Sequence, residues 1–176
     1  FTLKAPRFAT ARRVLAEGAE SISRFLASGL VELGPKLGPI NWQLPETKKF
    51  DPDDMAAFLD LLPDSLNGLP LRHAIEARHD SFVCDDFTTL LRDRNIAAIQ
   101  AADSDYPRIE AATAPFAYLR IMGTREDEPL GYSEADLDHW AARLRDMTRT
   151  RDVFLFVISG HKAANPAAAQ ALIRRL

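Results

Sequence analysis

His73-Ala74-Ile75-Glu76-Ala77-Arg78-His79-Asp80 places five ionisable side chains in eight residues, yet it reads as a buried strand. Pro70 precedes it and an acidic helix start, Asp85-Asp86, follows it. Successive side chains on a strand point to opposite faces. Ala74, Glu76 and Arg78 therefore share one face, and His73, Ile75, Ala77 and His79 share the other. A carboxylate and a guanidinium side by side on a buried face either satisfy each other or line a site.

The same one-sided polarity recurs outward from this stretch. Thr2 and Lys4 oppose Phe1 and Leu3, and Asn41 and Gln43 oppose Ile40, Trp42 and Leu44. Gln100 opposes Ile99 and Ala101, and Tyr118 and Arg120 oppose Leu119 and Ile121. Each strand thus pairs an apolar face, suited to lie under helices, with a face carrying polar groups. The expected strands are Phe1 to Lys4, Leu37 to Leu44, His73 to His79, Ile96 to Ala102, Phe116 to Met122 and Val153 to Ile158.

Helical patterns fill the gaps between them. One runs from Thr10 to Leu33, with Gly29 and Gly34 as possible breaks. A second opens at Asp51-Pro52-Asp53-Asp54, an acidic first turn with proline near its start, and stops at Pro63. A third covers Asp85 to Arg94. Ser133-Glu134-Ala135-Asp136 is an N-cap and first turn leading through Leu137, Trp140 and Leu144. The last follows Pro166 to Leu176. Six strand units joined by helical or irregular connections predict an α/β fold with a parallel sheet. No G-x-G-x-x-G turn follows the first strand, which weakens a dinucleotide-binding reading. An open doubly wound sheet would bury the polar faces badly. A TIM-type (β/α)8 barrel gathers them at its C-terminal mouth, and such a barrel typically takes ~250 residues, so this chain would supply about six of its units.

Composition bounds the function. The chain has 176 residues, 47% hydrophobic and 27% charged, which suits one domain over residues 1–176. A net charge of -3 gives the whole chain no electrostatic footprint for nucleic acid or an anionic membrane. The single cysteine, Cys84, excludes an internal disulfide framework and a multi-cysteine zinc site, and fits a reducing cytoplasmic setting. No signal peptide is expected, and no apolar run of ~20 residues occurs. Phe1 opens directly into a strand-like stretch, so the natural protein is expected to begin upstream.

Several stretches resemble one family. Leu3-Lys4-Ala5-Pro6-Arg7-Phe8, Leu37-Gly38-Pro39-Ile40 with Gln43-Leu44-Pro45, Ala74-Ile75-Glu76-Ala77-Arg78-His79 and Asn165-Pro166-Ala167-Ala168-Ala169 are similar to the domain of unknown function 72, or YecE-like, family. The resemblance implies a TIM barrel and a site, but no reaction. It also implies that an N-terminal part with the family's Asn-Ser-Thr-Phe-Tyr motif is absent. Three departures stand out. Thr10-Ala11 replaces the family's Thr-His, Arg120-Ile121-Met122-Gly123 replaces Arg-x-His-Gly, and Ile158-Ser159-Gly160 replaces Phe-Asn-Asn. Chemistry that needs those His and Asn groups is in doubt here.

The candidate site follows from the polar faces. Lys4, Gln43, Glu76, Arg78 and Arg120 are the expected substrate-binding residues. Glu76 and Arg78 read equally well as a buried ion pair. Lys4, Arg78 and Arg120 outnumber Glu76, which favours a phosphorylated or carboxylated ligand. Among those cations Glu76 is an orienting anchor rather than a general base. His79, at a strand end, and Asp103, in the loop after the next strand, are the catalytic candidates; an exposed loop histidine and a turn-capping acid are the plainer readings. Asp105 shares that loop. His73 reads as structural, His139 as solvated, and His161 as able to reach the mouth. Arg12-Arg13 reads as one turn of a solvated helix face. No metal site is expected, because cations crowd the mouth, and no cofactor is indicated. An enzyme on a small anionic substrate ranks first, an anion-sensing module second, and nucleic-acid processing last.

Overall fold

The computed structural model describes residues 1–176, which fall into two units: Phe1–Ala98 with Ala111–Ala114, and Ile99–Glu110 with Pro115–Leu176. The first holds β1 (Leu3–Lys4), α1 (Arg7–Thr10), α2 (Ala19–Leu26), β2 (Ile40–Gln43), α3 (Pro52–Leu59), β3 (Ser65–Leu66), β4 (Leu69–Pro70), β5 (His73–Glu76) and α4 (Asp85–Arg92). It also holds the first two residues of β6 (Ala97–Ala102). The second holds the rest of β6, β7 (Phe116–Ile121), α5 (Glu134–Thr148), β8 (Asp152–Val157) and α6 (Asn165–Ile173).

The expected parallel ladder forms in chain order, β1-β2-β5-β6-β7-β8. In the first unit Gln43 pairs with Glu76 and Asn41 with Ala74 and Lys4, so the polar positions of three strands share one face. On the other face Trp42 meets Phe25 of α2 and Phe58 of α3 edge-on, both at 5.8 Å between ring centroids. This aromatic packing is what fixes the register, since a one-residue slip would drive Trp42 to the polar side. In the second unit Leu119 and Ile121 of β7 pack with Leu137, Trp140 and Leu144 of α5 and with Leu172 of α6. Tyr118 lies on the opposite face, stacked on Phe156 of β8 at 5.1 Å.

Four expectations need correcting. The single helix over Thr10 to Leu33 is instead α1, a 3-10 turn Leu15–Gly18, α2 and a 3-10 stretch Leu30–Lys36. Gly29 (φ 90) and Gly34 (φ 51, followed by Pro35) interrupt it in conformations a helix does not contain. The strand over His73 to His79 ends at Glu76, and His79 instead opens a 3-10 turn at Asp80–Phe82. Gln100 does not join the polar faces. It is level with Leu119 on the helix side, where Arg143 of α5 donates to its Oε1 at 2.8 Å. A small antiparallel hairpin, β3–β4, was not expected. Asn67 (φ 52) and Gly68 (φ 80) form its turn, the left-handed pair that a two-residue hairpin requires.

Candidate functional site

At the C-terminal ends of β1, β2 and β5 the structure brings Lys4, Gln43, Glu76 and Arg78 together around a cavity of about 330 Å³. Glu76 is fully buried. Its Oε1 accepts from Arg78 Nε at 2.9 Å and from Arg78 Nη2 at 2.8 Å, and its Oε2 accepts from Asn41 Nδ2 at 3.1 Å. Arg78 Nη2 also donates to Gln43 Oε1 at 3.0 Å. A guanidinium gripped through two of its nitrogens has little rotational freedom, so its remaining N–H groups point in fixed directions. Lys4, Arg7, Gln43, Glu46 and Arg78 line the cavity. Glu46 is exposed and reaches Arg78 only at 3.9 Å. Lys4 is exposed and makes no ion pair within the chain.

Asn41 is a site residue that sequence reasoning passed over. It is buried, its Nδ2 serves Glu76, and its Oδ1 has no hydrogen-bond donor within the protein. A buried acceptor left unmatched carries a desolvation cost that a donor group would relieve. The signal was its place two residues before Gln43 on the polar face.

His79 is half-buried in the same unit. Its Nδ1 accepts from the backbone N–H of Ser81 at 3.1 Å and lies 2.9 Å from Ser81 Oγ, which in turn accepts from Phe50 N at 2.8 Å. The Nδ1 lone pair is thereby engaged, leaving Nε2 as the proton-bearing nitrogen of the neutral ring. His73 is structural: Trp42 Nε1 donates to its Nδ1 at 3.0 Å, and its Nε2 faces the Pro63 carbonyl at 2.9 Å.

Arg120 and Asp103 belong to the second unit. Arg120 lies on the Tyr118 face of β7, level with Ala101 and Phe156. Asp103, just past β6, has a left-handed backbone (φ 53). Its Oδ2 accepts from Tyr132 Oη and from Trp140 Nε1, each at 3.1 Å. Tyr132 Oη accepts in turn from Gly123 N at 3.0 Å. Burial pushes the Tyr132 phenol above its ordinary range and the Asp103 carboxylate adds to this, so the phenol remains a donor. These groups border a second cavity of about 530 Å³ with Arg125, His139 and Arg143 on its rim. Arg143 lies over the Trp140 ring at 5.3 Å. His161 N donates to Thr124 O at 2.8 Å in this unit. Nowhere do three or more His, Cys, Asp or Glu side chains gather in a way that could hold a metal ion. No helix is long and apolar enough to cross a membrane.

A parallel α/β chain with charged side chains at its strand ends is the class these observations define. The chain belongs to the family described as protein of unknown function DUF72, whose model matches residues 1–176. Two solved members share the fold. A DUF72 family protein from Thermotoga maritima is 22% identical with a TM-score of 0.73, over 98% of this chain and 71% of that one. Another from Enterococcus faecalis is 17% identical with a TM-score of 0.69, over 88% of this chain and 67% of that one. None of the curated proteins matches the chain.

Proposed function

We propose that this chain contributes the anion-binding part of a TIM-type (β/α)8 barrel, and that the protein is an enzyme acting on a small phosphorylated or carboxylated molecule. The observation that carries the reading is the Glu76–Arg78–Gln43 cluster. A fully buried carboxylate fixes a guanidinium at the edge of a cavity whose other cations, Lys4 and Arg7, have no ion-pair partner. Arg78 and Lys4 hold the anionic group, and Glu76 and Gln43 orient Arg78. His79, in the same unit, supplies proton transfer. A cytoplasmic location agrees with one cysteine and no membrane-spanning helix.

Titration with inorganic phosphate and sugar phosphates tests the binding step. Lys4→Met is expected to weaken phosphate about tenfold, the loss of one charge-assisted contact, while the melting temperature stays unchanged because Lys4 is exposed. Unaltered affinity would remove the mouth from consideration. A pure sensor is the second reading, supported by the capping role already occupying His79 Nδ1. Turnover abolished by His79→Gln with phosphate affinity intact favours the enzyme.

A further inference from the structure

Arg12-Arg13 is not on a solvated helix face. It lies in the loop after α1, on the wall of a second hollow of about 640 Å³. Arg7, Arg12, Arg13, Lys48 and Lys49 line that hollow against one acid, Asp51. Two of these cations serve the scaffold. Arg12 donates to Phe8 O and Ser21 Oγ, at 2.7 and 3.1 Å. Lys48 donates to Arg13 O at 2.8 Å and to Asp54 Oδ2 at 2.5 Å. Asp54 also accepts from Ala16 N at 3.2 Å, so one partly buried ion pair ties both ends of the Arg13 loop to α3. Asp51 is occupied as the N-cap of α3, accepting from Asp54 N at 3.0 Å.

Arg7, Arg13 and Lys49 remain, exposed and without any partner in the chain. Like charges held together repel one another, and Asp51 is the single carboxylate on the wall to offset them. The chain as a whole carries -3, so the cluster is a local reversal of sign. This hollow and the Lys4–Arg78 cavity share Arg7, Ala11 and Pro45 as walls. The two are therefore neighbours, with Arg7, Ala11 and Pro45 forming the wall between them.

We infer that the ligand is a linear molecule with two anionic groups, an oligophosphate or bisphosphate, whose first group sits at Lys4 and Arg78 and whose second sits at Arg13 and Lys49. The inference rests on the anion-binding reading of the mouth and adds the substrate class.

Calorimetric titration of the full chain with inorganic phosphate and with linear tripolyphosphate tests it. Arg13→Ala/Lys49→Ala is expected to lower tripolyphosphate affinity about tenfold or more while phosphate affinity stays the same. Lys4→Met is expected to lower both. Arg92→Ala removes an exposed charge from α4 and is expected to change neither. If the double variant leaves tripolyphosphate affinity unchanged while Lys4→Met weakens phosphate, the second subsite is overturned and the mouth reading survives. If Lys4→Met has no effect on phosphate, the mouth reading fails, and the two-ended ligand fails with it. An equal loss from Arg92→Ala would mark nonspecific attraction and overturn the inference. So would tight binding of a single-stranded oligonucleotide with no binding of tripolyphosphate.

Discussion

Two side chains of β5 carry most of the chemical content at the scale of single residues. Glu76 is buried with Arg78 and Asn41 as donors, so removing its charge takes the buried counter-charge from a guanidinium that is itself mostly enclosed. Glu76→Gln is expected to cost about 3 kcal/mol in urea unfolding, the lower end for breaking a buried pair, and to weaken phosphate as well. Arg120→Met is expected to cost less stability. If it melts far below Glu76→Gln with anion affinity intact, the cluster is a structural network only. His73 gives a pH signature. Burial holds its pKa below the ordinary 6.5, against the opposing pull of the Pro63 carbonyl and Asp64. Protonating Nδ1 would also set a proton against the Trp42 N–H. The unfolded chain therefore takes the proton first as pH falls. The contribution of His73 is complete above about pH 6.5 and declines below it towards the folded value. Urea midpoints at pH 7.5 and 5.5 should drop more for the wild type than for His73→Gln; equal drops would contradict this.

At the scale of elements, two glycines separate backbone strain from packing. Gly68 in the β3–β4 turn has φ 80 and open space where a Cβ would go. Gly68→Ala should cost roughly 1–2 kcal/mol from the left-handed backbone alone. Gly123, beyond β7, has no such φ, but its Cβ would come within 2.7 Å of Asp103 Cβ. Gly123→Ala should cost about 1–3 kcal/mol from overpacking and disturb the Tyr132–Asp103 bond. Urea unfolding of the two variants, with Tyr132 absorbance for the second, checks both. The same elements show what a sequence discloses. The facing of Trp42, Glu76 and Leu119 was legible because strand alternation is local and the apolar side is unambiguous. The Asn67-Gly68 turn was equally legible and was overlooked between longer elements. Gln100 was misplaced because Ile99 was the one large apolar residue in a strand otherwise made of alanine, and it was taken to mark the helix side. The partners of Asp103 could not be read, since Tyr132 and Trp140 lie 29 and 37 residues away. The break at Arg12-Arg13 likewise depends on Lys48 and Asp54, which approach only in the folded chain.

At the scale of the whole molecule, charge is distributed unevenly. A chain of net charge -3 gathers Arg7, Arg13 and Lys49 around one hollow, so the net charge hides a local reversal of sign. The two tryptophans have a further use. Each unit contains one of them, and each indole N–H is committed to a titratable partner: Trp42 to His73, and Trp140 to Asp103. Trp42→Phe and Trp140→Phe thus each leave a single tryptophan, selectively excited at the red edge of the absorption band, reporting on one unit. In the Trp140→Phe protein, imidazolium formation next to the indole should quench emission as the pH falls. In the Trp42→Phe protein the remaining indole is bonded to the Asp103 carboxylate and meets the His139 ring edge-on at 6.1 Å between centroids, so the step in the Trp140→Phe protein is assigned to His73 by its loss on His73→Gln. The fold therefore carries its own pair of optical probes, one for each half of the chain.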